Sequence, residues 1–591
     1  MLGSAVAATA QEPRFSRADT LRGSITPERA WWDVVHYDLS VRVNPSDSSI
    51  VGFNTIHYEV IGPSGEMQID LMAPLLVDSV VQEGVRLPVR LDGDVFFIQP
   101  EAPQDPSTSH ELTVYYHGRP KVAATPPWDG GFVWARDPQQ KPWVATADQG
   151  IGASVWWPNK DHQADEPDSL RIRVTVPSSM VEVSNGRLRG VERGDAGTTT
   201  YEWAVRSRIN NYGVTINAGN YVHFGETMDG EAGILDLDYW VLEPHLAQAR
   251  TQFAQVKPML ACFEGWLGPY PFYEDGYKLV EAPYLGMEHQ SAVAYGNRFQ
   301  NGYLGSDLSG TGRGLSWDYI IIHESAHEWF GNSITTADVA DLWVHEGFAD
   351  YAESLYVECT QGKAAGAEYV VGSRARIRND RPVIGRYGVN QRGPDDMYFK
   401  GANILHTLRQ IVDDDGRWRS MLRGMNEAFR HKTVTSREVE DYLGRAAGRD
   451  LSRFFDQYLR STQIPMLEYS LNDGTVRYRW RAGVEGFDMP VKVTVSRDRT
   501  VWISPETDAW KTLPLELDDP ADFRVDENFY VRTAEVNPLI CVLWAAAMPS
   551  NQPTRRGRPV VAPYSWARSR MSTPTASSSS VAMGPAPTRL V

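Results

Sequence analysis

Two histidines lie four residues apart in the segment His323-Glu324-Ser325-Ala326-His327. If this stretch is helical, both imidazoles share one face, one turn apart, and can hold a single metal ion. Glu324, beside the first histidine, can then act as general base on an attacking water. A catalytic zinc takes three protein ligands and keeps a fourth position open. Eighteen residues after His327 stands Glu346, within Trp343-Val344-His345-Glu346-Gly347-Phe348-Ala349-Asp350-Tyr351. It is the expected third ligand, completing a set of His323, His327, Glu346 and water around one zinc per chain. His345 competes with it, but lies about 100° away round a helix and would face elsewhere.

These groups need rigid elements to hold them. Helical periodicity dominates from Trp317 to about Tyr458, broken by a looser interval from Gly385 to Asp396. A second helix beginning near Asp341 would return Glu346 to the histidines. Ala247 to Leu267 carries apolar residues at helical spacing, and Thr435-Ser436-Arg437-Glu438 reads as a capped helix start. Before this helical region, from Trp31 to about Phe224, runs such as Leu170-Arg171-Ile172-Arg173-Val174-Thr175-Val176 alternate with period two and are separated by turn clusters. That pattern predicts an antiparallel β domain with one solvated face. Alternation returns from Met466 to Val536, enough for a small β-sandwich. The expected fold class is therefore multidomain α+β: an N-terminal antiparallel β domain (24–224), a mainly helical zinc catalytic domain (225–465) and a small C-terminal β-sandwich (466–536).

The blocks His323-Glu324-Ser325-Ala326-His327-Glu328-Trp329-Phe330-Gly331-Asn332 and Trp343-Val344-His345-Glu346-Gly347-Phe348-Ala349 resemble the gluzincin aminopeptidases, the family of membrane alanyl aminopeptidase and the leukotriene hydrolases. Upstream, Leu285-Gly286-Met287-Glu288-His289 is similar to that family's G-x-M-E-N motif, with Leu285 and His289 departing from it. The resemblance implies that Glu288 binds a substrate's free α-amino group, with Gly286 and Met287 in the same substrate-binding segment. Tyr398-Phe399-Lys400-Gly401-Ala402 resembles the family's Y-x-K-G-A, implying that Tyr398 stabilises the oxyanion. Gln149, in Asp148-Gln149-Gly150, resembles the residue that helps hold the amino terminus. The resemblance covers about residues 24–536. It implies a zinc aminopeptidase with a thermolysin-like catalytic domain, acting on peptides with a free N-terminus. The alternatives are a thermolysin-like endopeptidase, which has no use for an ammonium trap, and a catalytically inactive binding scaffold.

The chain has 591 residues and a formal net charge of −17. An acidic balance argues against nucleic-acid partners, and no apolar run reaches the roughly 18 residues of a membrane span. The segment 537–591 holds six Arg and no Lys, Asp or Glu, so residues 1–536 carry a net −23. Rich in Pro, Ser and Ala, it reads as a disordered basic tail. Residues 1–23 read as a leader or clipped signal segment, with an A-x-A-like site at Ala8-Thr9-Ala10. Export to a periplasmic or extracellular compartment is the expectation, with a cytoplasmic location as the alternative. The three cysteines are too dispersed to suggest a disulfide framework or a zinc ribbon. Oligomeric state leaves no trace in the sequence.

Overall fold

The computed structural model describes residues 15–536, apart from 473, 497, 498, 508, 516, 518, 520 and 521. The A-x-A-like site and the basic tail lie outside the described residues. Residues 17–23, read from the sequence as part of a leader, are folded. Arg17–Gly23 forms a helix that starts with a capping box between Ser16 and Asp19. Its end packs so tightly that a Cβ on Gly23 would fall 2.1 Å from the Val389 carbonyl carbon. Arg22 also donates to the Ile151 carbonyl, so this helix belongs to the folded body.

The N-terminal region is built on an eight-stranded sheet, in the order Arg187–Gly194, Thr198–Val205, Ser169–Pro177, Trp32–Asn44, Ser49–Val60, Ser109–Gly118, Leu76–Gln82, Val85–Leu87. Burial alternates along Ser169–Pro177 as its side chains do. The sheet is antiparallel except where Trp32–Asn44 pairs in parallel with Ser169–Pro177. More than a hundred residues separate those two strands, ample for the crossover that a parallel pair requires. A four-stranded sheet (Val181–Val183, Asn217–Gly219, Pro142–Ala147, Gly131–Arg136) packs with it around one core that includes Trp32, Trp156 and Trp157.

A five-stranded sheet opens the helical region, ending at its edge in the short strand Gly286–Met287. The helices Val256–Leu267, Tyr319–Ala326, Trp343–Gln361 and Phe399–Val412 share one hydrophobic core with it. The helix Trp343–Gln361 is buried on every side from Trp343 to Val357, so each polar residue within that span needs a partner or a ligand. Beyond these helices, sheets of four and three strands form the C-terminal β layer pair. Among the described residues, no helix is long and apolar enough to cross a membrane.

One sequence expectation fails here. Cys262 and Cys359 form a disulfide, with Cα atoms 6.2 Å apart. Side-by-side packing of the helices Val256–Leu267 and Trp343–Gln361 brings together cysteines 97 residues apart. Spacing along the chain carries no sign of such a pair.

Candidate metal centre and substrate cleft

The HExxH helix is fixed at its start. Asp318 caps it by accepting from the Ile320 and Ile321 amides, and also accepts from Tyr295 Oη (2.7 Å), Asn297 and Gln252. The regular helix ends at Ala326, and His327 is its C-cap in right-handed helical conformation (φ −64°, ψ −17°). The one-turn relation between the two histidines survives. Their Nε2 atoms are 3.3 Å apart, and Glu346 Oε2 lies 3.3 Å from His327 Nε2 and 3.6 Å from His323 Nε2. Donors about 2.0–2.1 Å from a tetrahedral zinc would be about 3.3–3.4 Å from each other. The triangle fits such an ion.

The tautomers fit too. His323 Nδ1 is 2.7 Å from Glu353 Oε1, and His327 Nδ1 is 2.8 Å from the Phe330 carbonyl. Each imidazole therefore donates from Nδ1 and turns its Nε2 toward the shared point. The carboxylates around the two rings favour positive charge at that point. Burial alone would depress both imidazoles, but Glu346 and Glu353 hold His323 well above the ordinary value. Glu346 and Glu288 hold His327 up at about 9. Burial would raise Glu346, yet His327 and His323 pull it well below the usual carboxylate range. Metal binding would release protons held there.

His345 does face away, as its helical offset requires. Its Nε2 accepts from the Thr336 amide at 2.8 Å. Glu353 and its partner Tyr369, whose Oη donates to Glu353 Oε2 at 2.6 Å, escaped the sequence reading. The available signal was weak: Glu353 follows Glu346 by seven residues, two turns along the same helix face. His323, Asp350 and Glu353 also lie close enough to hold an ion. Glu353's bond to His323 Nδ1 makes it the group that orients this ligand.

Around this centre opens a cleft of about 450 Å³. Glu324 lines it, its carboxyl raised above the ordinary value by burial. A Cβ on Gly286 would come within 2.8 Å of Glu324 Oε1 and 2.7 Å of Ile320 Cγ2. Glycine there lets the edge strand lie directly against the HExxH helix. Met287, on the same strand, lines the cleft while its side chain is largely buried in a small apolar cluster. Glu288 follows, its backbone carbonyl accepting from Asn332 Nδ2 at 2.9 Å. Its carboxyl is pushed up to about 7 by burial and by Glu346 and Glu324, against the pull of His327. Gln149, from the N-terminal region, donates through Nε2 to Glu288 Oε1 and, at 2.9 Å, to Glu346 Oε1.

Of the two motif departures, Leu285 lines the cleft and His289 does not. His289 is fully buried, with neither ring nitrogen hydrogen-bonded. Tyr398 closes the opposite wall, its ring centroid 6.1 Å from that of His323. Burial and Glu346 raise its phenol well above the ordinary value, so it keeps its proton and can donate. Two glycines bring it there. A Cβ on Gly401 would lie 2.7 Å from Gly347 Cα, and one on Gly347 2.9 Å from Gly401 Cα. The helices carrying Glu346 and Tyr398 thus cross backbone to backbone, beside both residues.

Residues 269–458 match the family model described as the peptidase family M1 domain. That span, about a third of the chain, is similar to an M1 peptidase domain. All three donors of the metal centre, together with Glu324, Glu288 and Tyr398, lie inside it. Similar proteins include Probable aminopeptidase 2 of Sulfurisphaera tokodaii, 20% identical over 71% of this chain and 53% of its own length. Leucine aminopeptidase 2 of Vanderwaltozyma polyspora is 24% identical over 69% of this chain and 62% of its own. The chain thus spans about half the length of these two relatives, or a little more. Among solved structures, an M1 zinc metallopeptidase mutant from Deinococcus radiodurans, bound to a Tyr-Ser-Ala substrate, superposes with a TM-score of 0.64. It is 21% identical and covers 75% of this chain and 98% of that one. The fold of about three quarters of this chain is therefore shared with that metallopeptidase.

Proposed function

We propose that this chain is a zinc-dependent aminopeptidase that removes residues one at a time from peptides with a free N-terminus. His323, His327 and Glu346 would hold the zinc, and the donor triangle and the orientation of both imidazoles support that assignment. Zinc, when bound, supplies Lewis-acid polarisation of the scissile carbonyl and acidifies water. Glu324 takes the proton of the attacking water and returns it to the leaving nitrogen. Tyr398 donates a hydrogen bond to the developing oxyanion.

The observation that carries the reading is Gln149's double contact. It ties the Glu288 carboxylate to metal ligand Glu346 within one buried cluster. An anionic anchor so close to the metal leaves room for a single residue between an ammonium and the scissile bond. The arriving ammonium favours the ionised form of Glu288. An endopeptidase would have to desolvate that carboxylate without a cationic partner.

The test compares an aminoacyl-anilide with its N-acetylated form, with zinc content measured alongside. We expect hydrolysis of the first only. Equal rates would refute the reading in favour of an endopeptidase, and zinc-free, inactive protein would refute it in favour of a scaffold. Export from the cytoplasm is part of the proposal. The Cys262–Cys359 disulfide supports it, since such bonds persist in oxidising compartments.

A further inference from the structure

The cleft is electrically lopsided. Glu288 and Glu346, tied together by Gln149, crowd the floor on which the ammonium would sit. Because Glu324 returns its proton to the leaving nitrogen, the departing peptide lies on the Glu324 side of the metal. Tyr303, Leu308, Tyr319, Ile320 and Phe399 line the cleft with it, and Tyr303 stands in the fields of Glu324, His323 and Arg376 alike.

Arg376 is the cation of that wall. Its Nε donates to the Leu308 carbonyl at 2.6 Å, and its guanidinium carbon lies 5.8 Å over the Phe399 ring. These contacts hold the side chain from its inner edge and leave both terminal nitrogens without a hydrogen-bond partner among the described residues. No carboxylate lies within 4 Å of it, again among the described residues. The other arginine of the cleft, Arg392, is already paired with Asp395 at 3.2 Å. An arginine fixed through Nε, with its outer fork open, suits bidentate capture of a carboxylate.

We propose that Arg376 binds the C-terminal carboxylate of short peptides, so that the cleft recognises both ends of its substrate and favours peptides of about two to four residues. This rests on the aminopeptidase reading, which fixes the direction of the chain in the cleft. Glu288 and Arg376 line the same cleft, one suited to an ammonium and the other to a carboxylate.

The test uses Ala-Ala, Ala-Ala-Ala and Ala-Ala-Ala-Ala, each as free acid and as C-terminal amide, with the full-length zinc-loaded protein. At one of these lengths the acid should exceed the amide about tenfold in kcat/KM, mainly through KM. Arg376→Ala should bring that ratio close to one, while Arg376→Lys, which keeps the charge and loses the fork, should retain part of it. Arg378→Ala, two residues along and outside the cleft lining, should keep the wild-type ratio. Equal rates for acid and amide at every length, or an unchanged ratio in Arg376→Ala, would overturn the proposal. Failure to cleave all six peptides and an alanyl-anilide would instead count against the aminopeptidase reading itself.

Discussion

Glu353 offers the sharpest test of how the metal centre is held. It is 1% exposed and accepts from two buried donors, His323 Nδ1 at 2.7 Å and Tyr369 Oη at 2.6 Å. Replacing it with Gln keeps the shape. The amide oxygen can still accept from the imidazole, and the tyrosine hydroxyl can rotate to accept from the amide nitrogen. What is lost is the charge that makes His323 a strong ligand. Replacing it with Leu removes both acceptors and strands two donors. Groups that orient metal-bound histidines are worth about 10–100-fold in affinity, or about 1.4–2.7 kcal/mol. Glu353→Gln should therefore fall near the lower bound and Glu353→Leu near the upper. Tyr369→Phe, which leaves the imidazole's acceptor in place, should weaken zinc by less than about threefold. The assay is competition for zinc against a chromophoric chelator at fixed pH, with circular dichroism to show that each variant is folded. Wild-type affinity in a folded Glu353→Leu, or a Tyr369→Phe defect as large as that of Glu353→Leu, would refute the orienting role.

Further outcomes can be checked as simply. Tyr398→Phe should lower kcat about 10²–10³-fold, as loss of one oxyanion donor does, with zinc content unchanged by metal analysis. Gly401→Ala forces apart helices whose backbones touch at Gly347, and a displacement near 1 Å at the active site costs about 10²-fold in rate; steady-state kinetics beside Tyr398→Phe would show it. Glu182 is buried, accepting from Ser184 and Trp203, and burial pushes its carboxyl from 4.5 up to about 8. A raised carboxyl stabilises the fold fully at acidic pH and loses that contribution as pH climbs from about 4.5 through 8. Glu182→Gln should thus flatten the decline of Tm across that window, with the largest gain over wild type at its upper end.

What could be read from the chain was what is local. The HExxH spacing states its own geometry, because one helical turn relates His323 to His327 wherever the helix lies. The period-two runs announce strands such as Ser169–Pro177 equally well. Glu346 was legible only as a candidate, since a connection of 18 residues can fold in many ways. Glu353 was visible in principle as a helix-face neighbour, but a buried acid looks like a surface one until the helix is known to be buried all round. Arg376, Tyr303 and Leu308 carry no motif, and their convergence is purely tertiary. The disulfide was missed for the same reason. The parallel pairing of Trp32–Asn44 with Ser169–Pro177 was also out of reach, as alternation marks a strand without naming its neighbour.

Gln149 has a consequence for how this molecule could be cut or recombined. It stands well outside the 269–458 span that matches the M1 domain, yet its amide touches both Glu288 and Glu346. A boundary drawn by similarity would separate residues that meet in one cleft. A fragment trimmed to that span would keep His323, His327 and Glu346 and lose Gln149, part of the proposed seat for the amino terminus. The smallest portable unit therefore includes the N-terminal β region, and exchanging that region between relatives would transplant part of the substrate's seat along with the scaffold.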